Sequence, residues 1–211
     1  MVALNMSKPT IKWEVTAKKL AKKAIKDREL LPELLQGILS KEDKTRYTSF
    51  RALMNICEEQ PELLYSHWDY FVRLLGHENT HSKYIASYLL ASLATVDGDK
   101  RFEEIFDKYY SLLDDRSIIP AAHVARNSGR IVIAKPELEP RITQTLLSID
   151  ETHHESGHKD LIKSEAVVAF GEYFEMTNDK EKIMEFVKRQ TKSKSPKARR
   201  TAKKFLETWV K

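Results

Sequence analysis

Residues 81–93 read HSKYIASYLLASL, and the spacing of small and apolar side chains in this stretch decides the fold. Ala86, Leu89, Leu90 and Leu93 recur at steps of three and four, so an α-helix carries all of them on one face. The arrangement returns along the chain. Ser49, Phe50, Leu53 and Ile56 form an earlier set. Later sets are Ala121, Val124, Ala125 and Ser128, then Ala166, Ala169, Phe170 and Tyr173, then Thr201, Ala202, Phe205 and Thr208. The leading small residues follow one another at 37, 35, 45 and 35 residues. A period of this size belongs to stacked helix pairs, each burying its apolar face only against its neighbours.

The intervening segments supply the first helix of each pair. Pro-Glu-Leu occurs at 32–34, 61–63 and 136–138, at the head of three such segments. Proline in a first helical turn loses no hydrogen bond, and the glutamate after it complements the positive end of the helix dipole. Leu74 and Leu75 close one segment before the polar turn Gly76–Asn79, and Leu146 and Leu147 close another before Ser148–Glu151. Asp97-Gly98-Asp99 and Thr177-Asn178-Asp179 mark turns between pairs. Trp13, Ala17, Leu20, Ala21 and Ala24 predict an amphipathic helix over 12–26. No stretch sustains a two-residue alternation, so no sheet is expected. The step of 45 is explained by about ten extra residues, Asp150 to Lys159, which solenoids place in a loop on one face.

Composition agrees with one folded all-α chain. Among 211 residues, 41% are hydrophobic, and the six Gly and seven Pro are too few for the many turns of a β architecture. The single cysteine, Cys57, permits no internal disulfide and lies on an apolar helix face. No apolar run reaches the roughly 18 residues of a membrane-spanning helix, and residues 1–8 lack a secretory pattern, so a soluble, cytoplasmic protein is expected. Residues 1–10 are read as a flexible lead and residues 11–211 as one repeat domain. The net charge of +5 is uneven: residues 8–26 carry +6 and residues 186–211 carry +9, leaving an acidic middle. Basic terminal helices are read first as capping units with solvated outer faces, and second as a docking surface for an acidic protein or nucleic acid.

The last unit, with Ser195, Pro196, Ala198, Arg199, Ala202 and Leu206, is similar to the second-helix pattern of HEAT repeats. Over about residues 11–210 the chain resembles the HEAT/armadillo class, although Tyr84 and Ile119 stand where that pattern has Arg or Val. The resemblance implies a right-handed α-solenoid of about five antiparallel helix pairs, with the second helices lining its concave side. It implies no particular activity.

Two H-E-x-x-H strings are present, His77-Glu78 with His81 and His154-Glu155 with His158. In zinc peptidases this string lies within a helix, which sets both imidazoles on one face. Here both strings fall at turns, Gly76 precedes the first and Gly157 interrupts the second, so each is read as a polar turn. Were the insertion to hold an ion, Glu151, His153, His154 and His158 would be its donors. The insertion is expected to be exposed, and the fold to stand without metal. Trp68, Asp69 and Tyr70 make a local aromatic–carboxylate set of the kind a HEAT-like DNA glycosylase would need, and they fall on a first helix, away from the concave side. No catalytic, cofactor or metal residue is assigned.

The binding face follows from the repeat. Positions two before, two after and six after each leading small residue are four apart and share a helix face. They give Tyr47, Arg51 and Asn55; Tyr84, Tyr88 and Ser92; Ile119, His123 and Asn127; Ser164, Val168 and Glu172; and Arg199, Lys203 and Glu207. Tyr47, Arg51, Asn55, Tyr84, Tyr88, Ser92, His123, Asn127, Arg199 and Lys203 are the candidate partner-binding residues, because Tyr and Arg combine contact area with polar reach. The expected function is a non-catalytic scaffold for a protein or peptide partner, without membrane or cofactor. Nucleic-acid binding through the basic ends is the alternative. It is less favoured because the middle of the stripe reads as aromatic and neutral, whereas phosphate neutralisation needs Lys and Arg along the groove.

Overall fold

A computed structural model describes residues 8–210, with side-chain surroundings given from Lys12 onward. Twelve α-helices occur among the described residues, joined by short 3-10 turns, and no strand occurs among them. They are α1 (Lys8–Lys26), α2 (Leu31–Gly37), α3 (Asp43–Glu59), α4 (Glu62–Tyr65), α5 (Trp68–Leu75), α6 (Thr80–Leu93), α7 (Arg101–Tyr110), α8 (Ile118–Ala134), α9 (Glu139–Leu147), α10 (Ser156–Tyr173), α11 (Lys180–Gln190) and α12 (Pro196–Trp209). Of the lead expected over 1–10, residues 1–7 lie outside the described residues, and α1 already begins at Lys8. The segment expected as one helix from Pro61 to Leu75 is split into α4 and α5 by a turn at Ser66 and His67.

The second helices form one layer: α1 packs on α3, α3 on α6, α6 on α8, α8 on α10, and α10 on α12. The shorter first helices cover it from one side, with α2 on α3, α5 on α6 and α11 on α12. Every extensively packed pair belongs to the same unit or to adjacent units. Side-chain links between units repeat the period: Tyr70 to Leu35, Arg101 to Asp69, His123 to Tyr88 and Arg141 to Asp107 span 32 to 35 residues. This is the nearest-neighbour coupling of a solenoid.

The apolar register read from the sequence fills the core. Leu53, Leu90 and Phe170 are wholly buried and Phe205 nearly so. Only the last set is displaced. Ala198, Ala202 and Phe205 face inward in α12, while Thr208 is exposed. Small residues allow the layer to close: Ala17, Ala21 and Ala24 of α1 are fully buried. On α8, a Cβ added to Gly129 would stand 2.9 Å from the Ala169 carbonyl oxygen of α10, a contact no side chain can relieve.

Candidate binding face on the second helices

The centre of the face is an aromatic and imidazole cluster spanning three helices. Phe50 of α3 meets Tyr84 and Tyr88 of α6 edge-on, with ring centroids 5.9 and 5.7 Å apart. His123 of α8 lies against Tyr84 at 4.9 Å, tilted by 34°, and its Nδ1 is 3.1 Å from the Tyr88 hydroxyl. Tyr84, Tyr88 and His123 are each half-buried. Burial holds the His123 imidazole below its ordinary pKa, with Glu165 opposing and Lys197 adding to the shift, and burial raises both tyrosines.

Toward the N-terminal end, Glu14 of α1 organises the candidates. It accepts from the Tyr47 hydroxyl at 2.7 Å and from Arg51 Nε at 2.6 Å. Burial, then the hydrogen bond to Glu14, pushes the Tyr47 phenol up to about 12. Tyr47 and Arg51 therefore already serve an inter-helix contact. At the C-terminal end Arg199 is half-buried and donates to the carbonyls of Ser193 and Lys194, at 2.7 and 2.9 Å. Lys203 is exposed beside Arg200 and Lys204 on the basic face of α12.

In three of the five units the third row of the expected stripe lies inside, while Glu172 and Glu207 of that row are exposed. Asn55, Ser92 and Asn127 are buried. Asn55 donates to the Arg51 carbonyl at 2.6 Å, Ser92 to that of Tyr88 at 2.9 Å, and Asn127 reaches Ser87 Oγ at 3.5 Å. A four-residue step overshoots a full helical turn by about 40°, so two steps rotate the side chain by about 80°, under the neighbouring helix. Ser164 of the first row is also buried, donating to the Leu161 carbonyl at 2.6 Å, whereas Ile119 of that row is exposed.

The rotation brings out two residues that the spacing argument passed over. Arg126 and Arg130, one turn apart on α8, are half-buried at the same face. Arg126 pairs with Glu172 of α10 at 3.7 Å, and Arg130 Nη1 donates to Ser92 Oγ at 2.5 Å. Both bear on the Tyr88 phenol, lowering its pKa against the effect of burial. The middle of the face is thus cationic beside its aromatic cluster, not neutral as its sequence rows suggest. Glu172, raised by burial and lowered by these arginines, supplies the balancing charge.

Neither H-E-x-x-H string forms a helical metal pair. In the first, the Asn79 N–H donates to His77 Nδ1, and Asn79 then caps α6. In the second, α10 begins at Ser156, so His154 lies before the helix and His158 within it. The insertion is mostly exposed, as expected, but His154 is buried. Its Nε2 is 3.1 Å from the Leu113 carbonyl in the preceding unit. The loop folds back because it is long enough to reach that turn, and the imidazole finds its acceptor there. Trp68 is buried, Asp69 is an exposed ion-pair partner of Arg101, and Tyr70 donates to the Leu35 carbonyl, so these three do not converge on a site.

No family model matches the chain, and no curated protein does. Among solved structures, a designed armadillo repeat protein matches with a TM-score of 0.58 and 17% identity, over 93% of this chain and 90% of that one. Two engineered proteins match at TM-scores of 0.52 and 0.53 with 20% and 18% identity; 97% of this chain spans 92% and 55% of theirs. The chain has a HEAT/armadillo-like helical-repeat fold. At these identities the likeness concerns the fold alone. No helix among the described residues is long and apolar enough to cross a membrane.

Proposed function

We propose that the chain is a non-catalytic scaffold that binds a peptide segment of a protein partner across its second helices. The reading rests above all on the half-buried cluster of Tyr84, Tyr88 and His123 beside Arg126 and Arg130. Aromatic rings and arginines held rigidly at a packed surface are the groups that dominate binding energy when a partner covers them. The second helices pack closely along the chain and the first helices touch one another more sparsely, which supports reading the second-helix layer as the inner, concave side. Tyr84, Tyr88, His123, Ile119 and Arg126 form the centre of the groove, with Arg51 and Tyr47 at one end and Arg199 and Lys203 at the other. The free buried thiol of Cys57, pushed up to about 12 by burial, suits a reducing cytoplasmic setting.

Selection of a displayed peptide library on the intact chain tests the reading. Selected peptides should bind the parent protein and lose about tenfold or more in affinity to the Tyr84→Ala/Arg126→Ala double variant, measured at a temperature where the variant remains folded. Peptide binding indifferent to that variant would reject the site. Tighter binding to a DNA or RNA oligonucleotide, with steep salt dependence and loss on Lys203→Glu/Lys204→Glu, would replace it with nucleic-acid recognition at the C-terminal end.

A further inference from the structure

The insertion between α9 and α10 does something the repeat does not require. Neighbouring pairs close their turns with a few residues, yet here Asp150 to Lys159 extends back to the turn after α7. The contact is made by one carboxylate and two histidines. Asp114 Oδ1 accepts from the His153 backbone N–H at 2.7 Å and lies 2.6 Å from His153 Nδ1. The His153 and His154 rings face each other with centroids 4.5 Å apart. One donor atom from each of Asp114, His153 and His154 falls within 4.8 Å of the other two.

We propose that Asp114, His153 and His154 form a site for one borderline divalent transition-metal ion, with Zn²⁺ as the reference ligand, clasping the third helix pair to the fourth. The donor set selects the class. Two imidazoles and a carboxylate suit Zn²⁺ and its neighbours, whereas Ca²⁺ and Mg²⁺ require shells of oxygen. The spacing is close to sufficient: ligand distances of about 2.0–2.2 Å put tetrahedral donors about 3.4 Å apart, within side-chain rotation of the present positions. The tautomer is prepared as well. The Leu113 carbonyl can only accept, so His154 carries its hydrogen on Nε2 and leaves Nδ1 with the free lone pair, the outer-sphere arrangement that orients metal-binding histidines. His153 binds through Nδ1 once its hydrogen resides on Nε2, and Asp114 then exchanges that hydrogen bond for a metal bond. The remaining position belongs to water. His158 stands off, with its ring 6.4 Å from that of His154, and Glu151 is exposed. The ligand set is thus not the one that H-E-x-x-H suggests, because its carboxylate comes from the preceding unit.

Calorimetric titration of the chelator-stripped, full-length chain with Zn²⁺ decides the matter, together with the visible spectrum of the Co²⁺ form. The expected result is one ion per chain, a four-coordinate Co²⁺ spectrum and a raised melting temperature. Asp114→Asn and His153→Gln should each weaken binding by about tenfold or more and abolish the thermal shift. The amide oxygen introduced by Asp114→Asn still accepts from the His153 N–H, so that variant tests the ligand and not the loop. His77→Gln and His158→Gln should leave affinity unchanged. Absence of stoichiometric binding, or affinity that follows His158 or His77 and not Asp114, would overturn the proposal.

Discussion

The two faces of the stack handle charge in opposite ways. On the first-helix side, charges are paired within the fold. Arg101 bonds Asp69 and lies 5.6 Å from the Trp68 ring; one unit later Arg141 bonds Asp107 at 2.5 Å and lies 3.7 Å from the Phe106 ring. Beneath them the Asp97 carboxylate accepts from Tyr65, from the N–H groups of Arg101 and Phe102, and from Lys135. At the centre of the second-helix side, Arg126 meets Glu172 only at 3.7 Å, Arg130 has a neutral hydroxyl as its partner, and the aromatic rings are left half-covered. The same period thus builds one face whose charges are paired within the fold and one that, in the proposed function, a peptide covers.

The largest effects should come from the groups both faces depend on. Replacing Lys135 by Met leaves Asp97 buried beside an apolar side chain and should cost about 3–5 kcal/mol in a denaturant melt. Removing the side chain of Leu90, buried in the shared layer, should cost about 2–5 kcal/mol. A loss below about 1 kcal/mol for Leu90→Ala would show that the register is not that of a stacked core.

The pH dependence separates the faces further. His123 and His81, on the second-helix side, have folded pKa values depressed below the ordinary 6.5 by burial. The unfolded chain therefore takes up protons first. Their contribution is complete above about pH 6.5 and is lost as pH falls below it. Burial opposes ionisation of Asp97, but its hydrogen bonds from Tyr65, Phe102, Lys135 and Arg101 outweigh this and hold it below the usual carboxylate range. Its contribution persists until pH falls below about 4. Chemical melts at pH 7.5, 5.5, 4 and 2.5 should show two successive losses, the first above pH 4 and reduced in His123→Gln, the second below it. A single loss confined to pH below 4 would contradict the burial of the histidines.

The architecture was legible because repetition averages out local ambiguity. Leu53, Leu90 and Phe170 are each weak evidence for a helix, but their common place in a period of about 35–45 residues fixes layer, neighbour and buried face together. Outlying rows of the binding face were not legible to the same degree. Whether Asn127 or Arg126 meets solvent depends on how the next helix covers α8, and the close approach at Gly129 sets that crossing. Burial of His154 was hidden for a related reason: its acceptor, Leu113, is 41 residues away in another unit.

The smallest stability effects are expected from the outermost arginines, and they allow the sharpest comparison. Arg126→Ala on the second-helix face and Arg141→Ala on the first-helix face each remove one guanidinium from a partly exposed pair, at a cost of about 1 kcal/mol or less. The decisive measurement is the affinity of one selected peptide for these two variants beside the parent chain. The account predicts a loss of about tenfold or more for Arg126→Ala and no change for Arg141→Ala. Equal losses, or a loss confined to Arg141→Ala, would contradict the assignment of binding to the second-helix face.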